Sequence, residues 1–299
     1  MSKRKTVAGH VLAALAQLMW GTTFVASKVL LRYYTPAQIL MIRAILAIIA
    51  MYIACPHIIK FESLKKEILF ALAGLTGITI YFLLENTALT YTYASNVGII
   101  VACAPFFVAL ACSIFFDNEK ISKKFIIGFF LAITGIAIVS LNGQKEVGLN
   151  PLGDMMAVFA MVSWGLYSTI VKKIDEWGYN PIMVTRRIFI YAVILLIPAL
   201  LIQGETFDLN SLVIPRVAGN FLFLGIFGSA IGFITWNYCT RVIGAIKTSV
   251  YVYLSPITTL LLSAIILHEK LTLLSVFGII LIFTGLIIAQ NLQELLTKD

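Results

Sequence analysis

The chain has little charge. Asp, Glu, Lys and Arg supply 12% of its 299 residues and hydrophobic residues 60%, a balance that does not cover a water-facing globular surface. Its cysteines are sparse: Cys55, Cys103, Cys112 and Cys239 lie within or at the ends of apolar runs, and no Cys-x-x-Cys pair occurs. They read as small buried hydrophobes rather than disulfides or metal ligands. There is no glycine-rich phosphate loop, no nucleophile motif and no metal-ligand cluster, so neither a cofactor nor a metal is expected. Short connectors leave no soluble catalytic domain. An enzyme is not expected, and His268, in a connector beside Glu269-Lys270, reads as a solvated surface residue. The net charge of +8 is spread over connectors without a contiguous patch, which argues against a nucleic-acid partner.

What is present is apolar sequence in long continuous runs. Hydropathy and punctuation predict ten spans, at residues 8–31, 36–56, 67–89, 93–116, 123–141, 151–172, 182–202, 216–238, 244–267 and 272–290. Each is close to the roughly 20 residues that cross about 30 Å of hydrocarbon. Continuity of the runs selects helices over a barrel, and lipid forbids an open sheet. The expected fold class is an all-α integral membrane protein of ten transmembrane helices. Only Tyr91-Thr92-Tyr93 separates spans three and four. Lys3, Arg4 and Lys5 ahead of the first run look like the start of a signal peptide, but that run is long and many equivalents come after it, so it is read as a retained span.

Lys and Arg divide unequally between the two sets of connectors. One side collects Lys3, Arg4, Lys5, Lys60, Lys65, Lys66, Lys120, Lys123, Lys124, Lys172, Lys173, Arg241 and Lys298, the other only Arg32, Lys145, Arg216 and Lys270. The excess places both termini in the cytoplasm of a cell with the protein in its plasma (inner) membrane.

The halves also resemble one another. Trp20-Gly21, Lys28 and Arg43 recur 144 residues later as Trp164-Gly165, Lys172 and Arg187. Asn86 and Pro105 recur 151 residues later as Asn237 and Pro256, and Glu119-Lys120, Gly128 and Gly135 recur 150 residues later as Glu269-Lys270, Gly278 and Gly285. Five spans per unit is an odd number, so the second unit must enter the membrane in the opposite sense. The expectation is two inverted five-helix repeats, residues 1–141 and 151–299, joined by an outer linker at 142–150. Inverted repeats are a transporter architecture, with binding at the repeat interface.

These features, with Ala94-Ser95 opening span four, resemble the EamA-type ten-span members of the drug/metabolite transporter superfamily over residues 8–290. The resemblance implies a central cavity lined by spans one, three, four, six, eight and nine, with spans five and ten toward a dimer-like contact. It implies a monomer or weak homodimer. It also implies export of small metabolites, amino acids or related amphiphiles, with drugs, nucleosides or nucleotide sugars as the alternative cargo. A channel or an intramembrane enzyme is the alternative of another class.

Ionisable side chains inside spans are costly unless paired, wetted or snorkelled, and so mark function. Glu85 is read as binding a substrate ammonium or carrying a coupling proton, with Tyr81 one turn earlier on the same face; an interfacial carboxylate is the bland alternative. Lys247 with Tyr251 is read as holding a substrate carboxylate against snorkelling as the alternative. Trp20, Phe24, Trp164, Tyr167 and Trp236 are candidate aromatic walls, which interfacial belts would also explain. Asn96 is a candidate hydrogen-bonding group. Arg43 and Arg187 are read as gating or architectural arginines, and Pro105 and Pro256 as matching bends. The expected partners are a small-molecule substrate, membrane lipid and a coupling proton.

Overall fold

In a computed structural model, residues 3–115, 123–142, 151–202, 204, 206–208, 210–268 and 272–290 are described. The pairs Glu119-Lys120 and Glu269-Lys270 and most of the linker lie outside them. Ten helical rods follow one another: α1 (Lys3–Leu30), α2 (Pro36–Ala54), α3 (Leu64–Tyr91), α4 (Ala94–Phe115), α5 (Lys123–Asn142), α6 (Pro151–Asp175), α7 (Pro181–Ile202), α8 (Pro215–Ile243), α9 (Lys247–Leu267) and α10 (Leu273–Gln290). Among the described residues there is no strand. Eight rods, among the described residues, are long and apolar enough to cross a membrane, while α5 and α10 carry shorter apolar stretches at Ile126–Gly135 and Val276–Gly285. The protein is an all-α membrane protein. Its outer face agrees with this, since Ile114, Phe130, Leu201, Ile202 and Leu273 are exposed, an apolar surface that suits lipid.

Local signals explain where the rods begin and break. Thr35 accepts from the Gln38 amide while the Gln38 side chain accepts from the Thr35 amide, and Pro36 follows the cap; this reciprocal pairing fixes the start of α2. The α3–α4 break falls at Thr92, as the sequence indicates. Near Pro105, α4 is interrupted by a turn after Val101 and restarts at Ala104. Near Pro256, α9 passes through 3-10 helix at Val250–Leu254 before resuming at Ser255. Proline cannot supply the internal amide bond, and the chain loosens just ahead of it.

Packing follows a pseudo-two-fold exchange of the halves. Helix α1 packs on α8 and α9, as α6 packs on α3 and α4; α2 meets α8 as α7 meets α3. Helices α2 with α7, and α5 with α10, are partners across the axis. The repeated glycines obey the same rule. A Cβ on Gly21 would lie 2.6 Å from the Ser255 carbonyl of α9, and one on Gly165 would lie 2.5 Å from the Phe107 carbonyl of α4. Likewise a Cβ on Gly135 would meet Gly278 O, and one on Gly285 would meet Gly128 O. Small residues here let backbones touch, as membrane helices require.

Candidate functional site

A cavity with about 450 Å³ of space between atoms, open solvent included, lies between the halves. Its lining is ordered by the repeat. Five pairs of equivalent residues face it: Gln17 and Met161, Trp20 and Trp164, Phe82 and Phe233, Val101 and Val252, Ala104 and Ser255. A cavity lined by both members of each pair sits on the pseudo-two-fold itself. The remaining five residues, Thr23, Phe24, Arg43, Tyr81 and Glu85, all come from the first half. The charge at the cavity is therefore contributed by α2 and α3 alone. In the second half the positions equivalent to Tyr81 and Glu85 hold Gly232 and Trp236.

Helix α3 presents Tyr81, Phe82 and Glu85 directly after a stretch of π-helix at Leu75–Ile80, and α8 has π-helix at the matching Phe223–Ile231. Such wide turns shift the register of the residues after them and recur at functional sites. The indoles of Trp20 and Trp164 meet edge to face at 5.6 Å, and Trp20 Nε1 donates to Gly228 O at 2.8 Å. Tyr81 packs on Trp164 at 5.1 Å. The Trp20 ring thus has a partner for its polar tip while its body forms part of the apolar wall.

The two cavity charges are both nearly inaccessible, Arg43 being 1% exposed and Glu85 2%. Arg43 Nε donates to Ser229 Oγ at 2.9 Å, and its guanidinium lies 3.9 Å from the Phe82 ring centroid. Its Nη1 is buried with no partner among the described residues. Glu85 interacts electrostatically with Arg43 and has the Tyr81 hydroxyl beside it, yet no direct ion pair among the described residues joins Glu85 to Arg43.

A family model for the EamA-like transporter family matches the chain twice, at residues 7–141 and 151–290. The chain belongs to the EamA-like transporter family. This EamA-like chain is 29% identical over 282 residues to an uncharacterized transporter of Archaeoglobus fulgidus, covering 93% of this chain and 97% of that one. It is 28% identical over 288 residues to a probable amino-acid metabolite efflux pump of Escherichia coli, covering 93% of each. A protein of known crystal structure, 17% identical, superposes with a TM-score of 0.67 over 95% of this chain and 99% of the other, which shows a shared fold. The EamA-like protein is a multi-pass membrane transporter and not an enzyme.

Of the residues the sequence singles out, the cavity gathers Trp20, Phe24, Tyr81, Glu85, Trp164 and Arg43. Others are not in its lining. Trp236 packs on Trp20 and Trp164 at 5.4 and 5.6 Å. The Tyr167 hydroxyl donates to Asn237 Oδ1 at 3.0 Å, and Asn96 donates to Thr92 Oγ1 at 3.2 Å. Lys247 and Tyr251, read as holding a substrate carboxylate, do not share the lining with Glu85. Lys247, the first residue of α9, is not among the lining residues, and the Tyr251 hydroxyl is shared with His10 Nδ1 at 2.9 Å. The cation facing Glu85 in the cavity is Arg43. Pro105 and Pro256 stand next to lining residues Ala104 and Ser255, at the helix restarts. Sequence reasoning passes over Phe82, Phe233, Gln17, Met161, Val101 and Val252; the repeat offset that pairs Asn86 with Asn237 also pairs Phe82 with Phe233 and is the signal that could find them.

Arg187, the repeat partner of Arg43, does not line this cavity. Its Nη2 donates to Glu67 Oε1 at 2.6 Å, its Nε to Glu67 Oε2 at 3.1 Å, and Tyr191 donates to the same carboxylate at 2.5 Å. Nearby, Lys66 pairs with Glu62 at 2.5 Å and donates to the Tyr179 hydroxyl at 2.9 Å, while that hydroxyl donates to Glu62. The Lys66 ammonium and then the Tyr179 hydroxyl hold the Glu62 carboxyl, in the α2–α3 connector, below the usual carboxylate range. These contacts tie the two halves at one end. At the other end the ties are uncharged on their acceptor side: Tyr34 donates to Asp208 O at 2.5 Å and Gln38 to Thr206 O at 2.8 Å.

Proposed function

We propose that this transporter exports small amphiphilic metabolites, amino acids or close relatives, across the plasma membrane by alternating access of its two repeats, with both termini cytoplasmic. The observation that carries the reading is the cavity on the pseudo-two-fold, with an aromatic frame from both repeats and a buried carboxylate and guanidinium from one. A site on such an axis is opened to either side by rocking one repeat against the other. The proteins of Escherichia coli and Salmonella typhimurium described as probable amino-acid metabolite efflux pumps, at 28% and 27% identity, support the cargo class and direction. With no ATPase motif in the chain, the driving force is the substrate gradient, exchange, or a proton gradient coupled through Glu85. The positive-inside bias supports the orientation.

The test is counterflow into proteoliposomes with a labelled panel of amino acids, nucleosides and small amphiphilic drugs, run with wild type, Glu85→Gln and Lys247→Met. Saturable counterflow of an amino acid, with a raised KM in Glu85→Gln and an unchanged one in Lys247→Met, is expected. Drug or nucleoside counterflow indifferent to Glu85→Gln would move both cargo and site elsewhere, and non-saturating conductance would make the protein a channel.

A further inference from the structure

The cavity is symmetric in its apolar frame and asymmetric in its charge, and the asymmetry has a cause in the sequence. Arg43 and Arg187 are repeat equivalents, but Glu67, which captures Arg187, corresponds to Ala218 in the other half, 151 residues on. No acid stands at that place to draw Arg43 out of the cavity. Instead Ser229 takes its Nε and Phe82 supports the guanidinium plane, leaving Nη1 without a partner among the described residues. A planar fork fixed at its inner nitrogen, with a terminal nitrogen free, is preorganised for a carboxylate. Glu85, in the same lining and not ion-paired with Arg43, is the complementary acceptor for an ammonium. The second repeat adds no charge: it lines the cavity with Met161, Trp164, Phe233, Val252 and Ser255, and the Ser255 hydroxyl is already donated to Gln17.

We infer that Arg43 and Glu85 are the two poles that read a zwitterion: Arg43 takes the substrate carboxylate, Glu85 takes its ammonium, and the substrate side chain lies against the apolar wall of the second repeat. This rests on the amino-acid reading given above and adds its residues and polarity. The site holds one positive and one negative group, so a zwitterion satisfies both and leaves the net charge of the cavity unchanged. A simple amine leaves Arg43 facing the cavity unsatisfied, and a simple acid does the same to Glu85; buried charges left without partners make such ligands poor ones. Amino acids with apolar side chains fit the second-repeat wall, and those with a charged side chain bring a third charge that nothing there meets.

The experiment is competition against labelled phenylalanine and labelled leucine counterflow in proteoliposomes, with each parent compared to its decarboxylated amine and its deaminated acid (phenethylamine and 3-phenylpropionate; isoamylamine and 4-methylvalerate). In the wild type, both single-charge analogues are expected to compete at least roughly tenfold more weakly than the parent. Arg43→Gln should abolish the discrimination against the amine and keep that against the acid, Glu85→Gln should do the reverse, and Arg43→Lys should restore part of the parent's advantage. Amino-acid counterflow in which the analogues compete as well as the parent overturns the two-pole assignment while leaving the transporter reading intact, and this wild-type result stands whether or not a variant folds. Transport of nucleosides or drugs with no counterflow of either amino acid overturns the cargo reading and this inference together.

Discussion

Two arginines at equivalent places meet different fates because one acid is present in only one repeat. Arg187 and Glu67 form a pair at 2.6 Å with side chains 25% and 8% exposed, and Tyr191 completes the carboxylate's partners. Replacing Glu67 with Gln leaves a half-buried guanidinium without its counter-charge. After discounting for its exposure, this should cost about 1–2 kcal/mol. The expected result is a lowered melting temperature of the purified protein in detergent, with Arg187→Met in the Glu67→Gln background recovering most of the loss. An unchanged melting temperature for Glu67→Gln would show the pair to be idle. At this scale the sequence was legible for Glu85, since an acid inside an apolar run is conspicuous. It was not legible for the choice between Arg43, Arg187 and Lys247 as its complement. Span position says how deep a cation lies, and only packing says which neighbour captures it.

Helix existence was the most readable property at the scale of elements, because continuous hydropathy is the direct imprint of lipid. Irregularity within helices was less readable. The π-helix in α3 and α8 and the 3-10 stretch in α9 leave hydropathy untouched, and of their causes only the prolines announce themselves. The repeated Trp-Gly pair reads differently once its surroundings are known. Its glycine is where α1 crosses α9 and, equivalently, where α6 crosses α4, with backbone at 2.6 and 2.5 Å from the Cβ each would carry. A backbone carbonyl cannot rotate aside, so Gly165→Ala should force α6 away from α4 at a cost of about 1–3 kcal/mol. A reduced yield of monodisperse protein by fluorescence-detected size exclusion is expected. Gly219→Ala in α8, where a Cβ meets nothing within 4 Å, should behave as wild type. Equal yields from the two variants would remove close packing as the reason for the Trp-Gly signature.

Duplication, the largest feature of the molecule, was visible in a few spaced residues because close crossings and aromatic pairs keep the same residue type in both halves even where the rest has drifted. The consequence is mechanical. The ties between the repeats stand at both ends of the α2–α7 seam: Tyr179 of one repeat reaches Glu62 of the other at one end, and Gln38 reaches Thr206 at the opposite end. Two rigid repeats that rock about a central cavity must change their separation at one end while the other holds. On the proposed rocking cycle, a bridge that fixes either end removes half of it. In a background with the four native cysteines replaced, the pairs Glu62→Cys with Tyr179→Cys and Gln38→Cys with Thr206→Cys can be spanned by a cleavable bifunctional thiol reagent. Each bridge is expected to arrest counterflow, and cleavage to restore it. The ionic end should need no more than the uncharged one, because the arrest comes from geometry and not from the strength of the tie. Full counterflow with both bridges in place would make the α2–α7 seam a fixed hinge and place the moving contact at the α4–α9 seam, beside the helix restarts at Pro105 and Pro256.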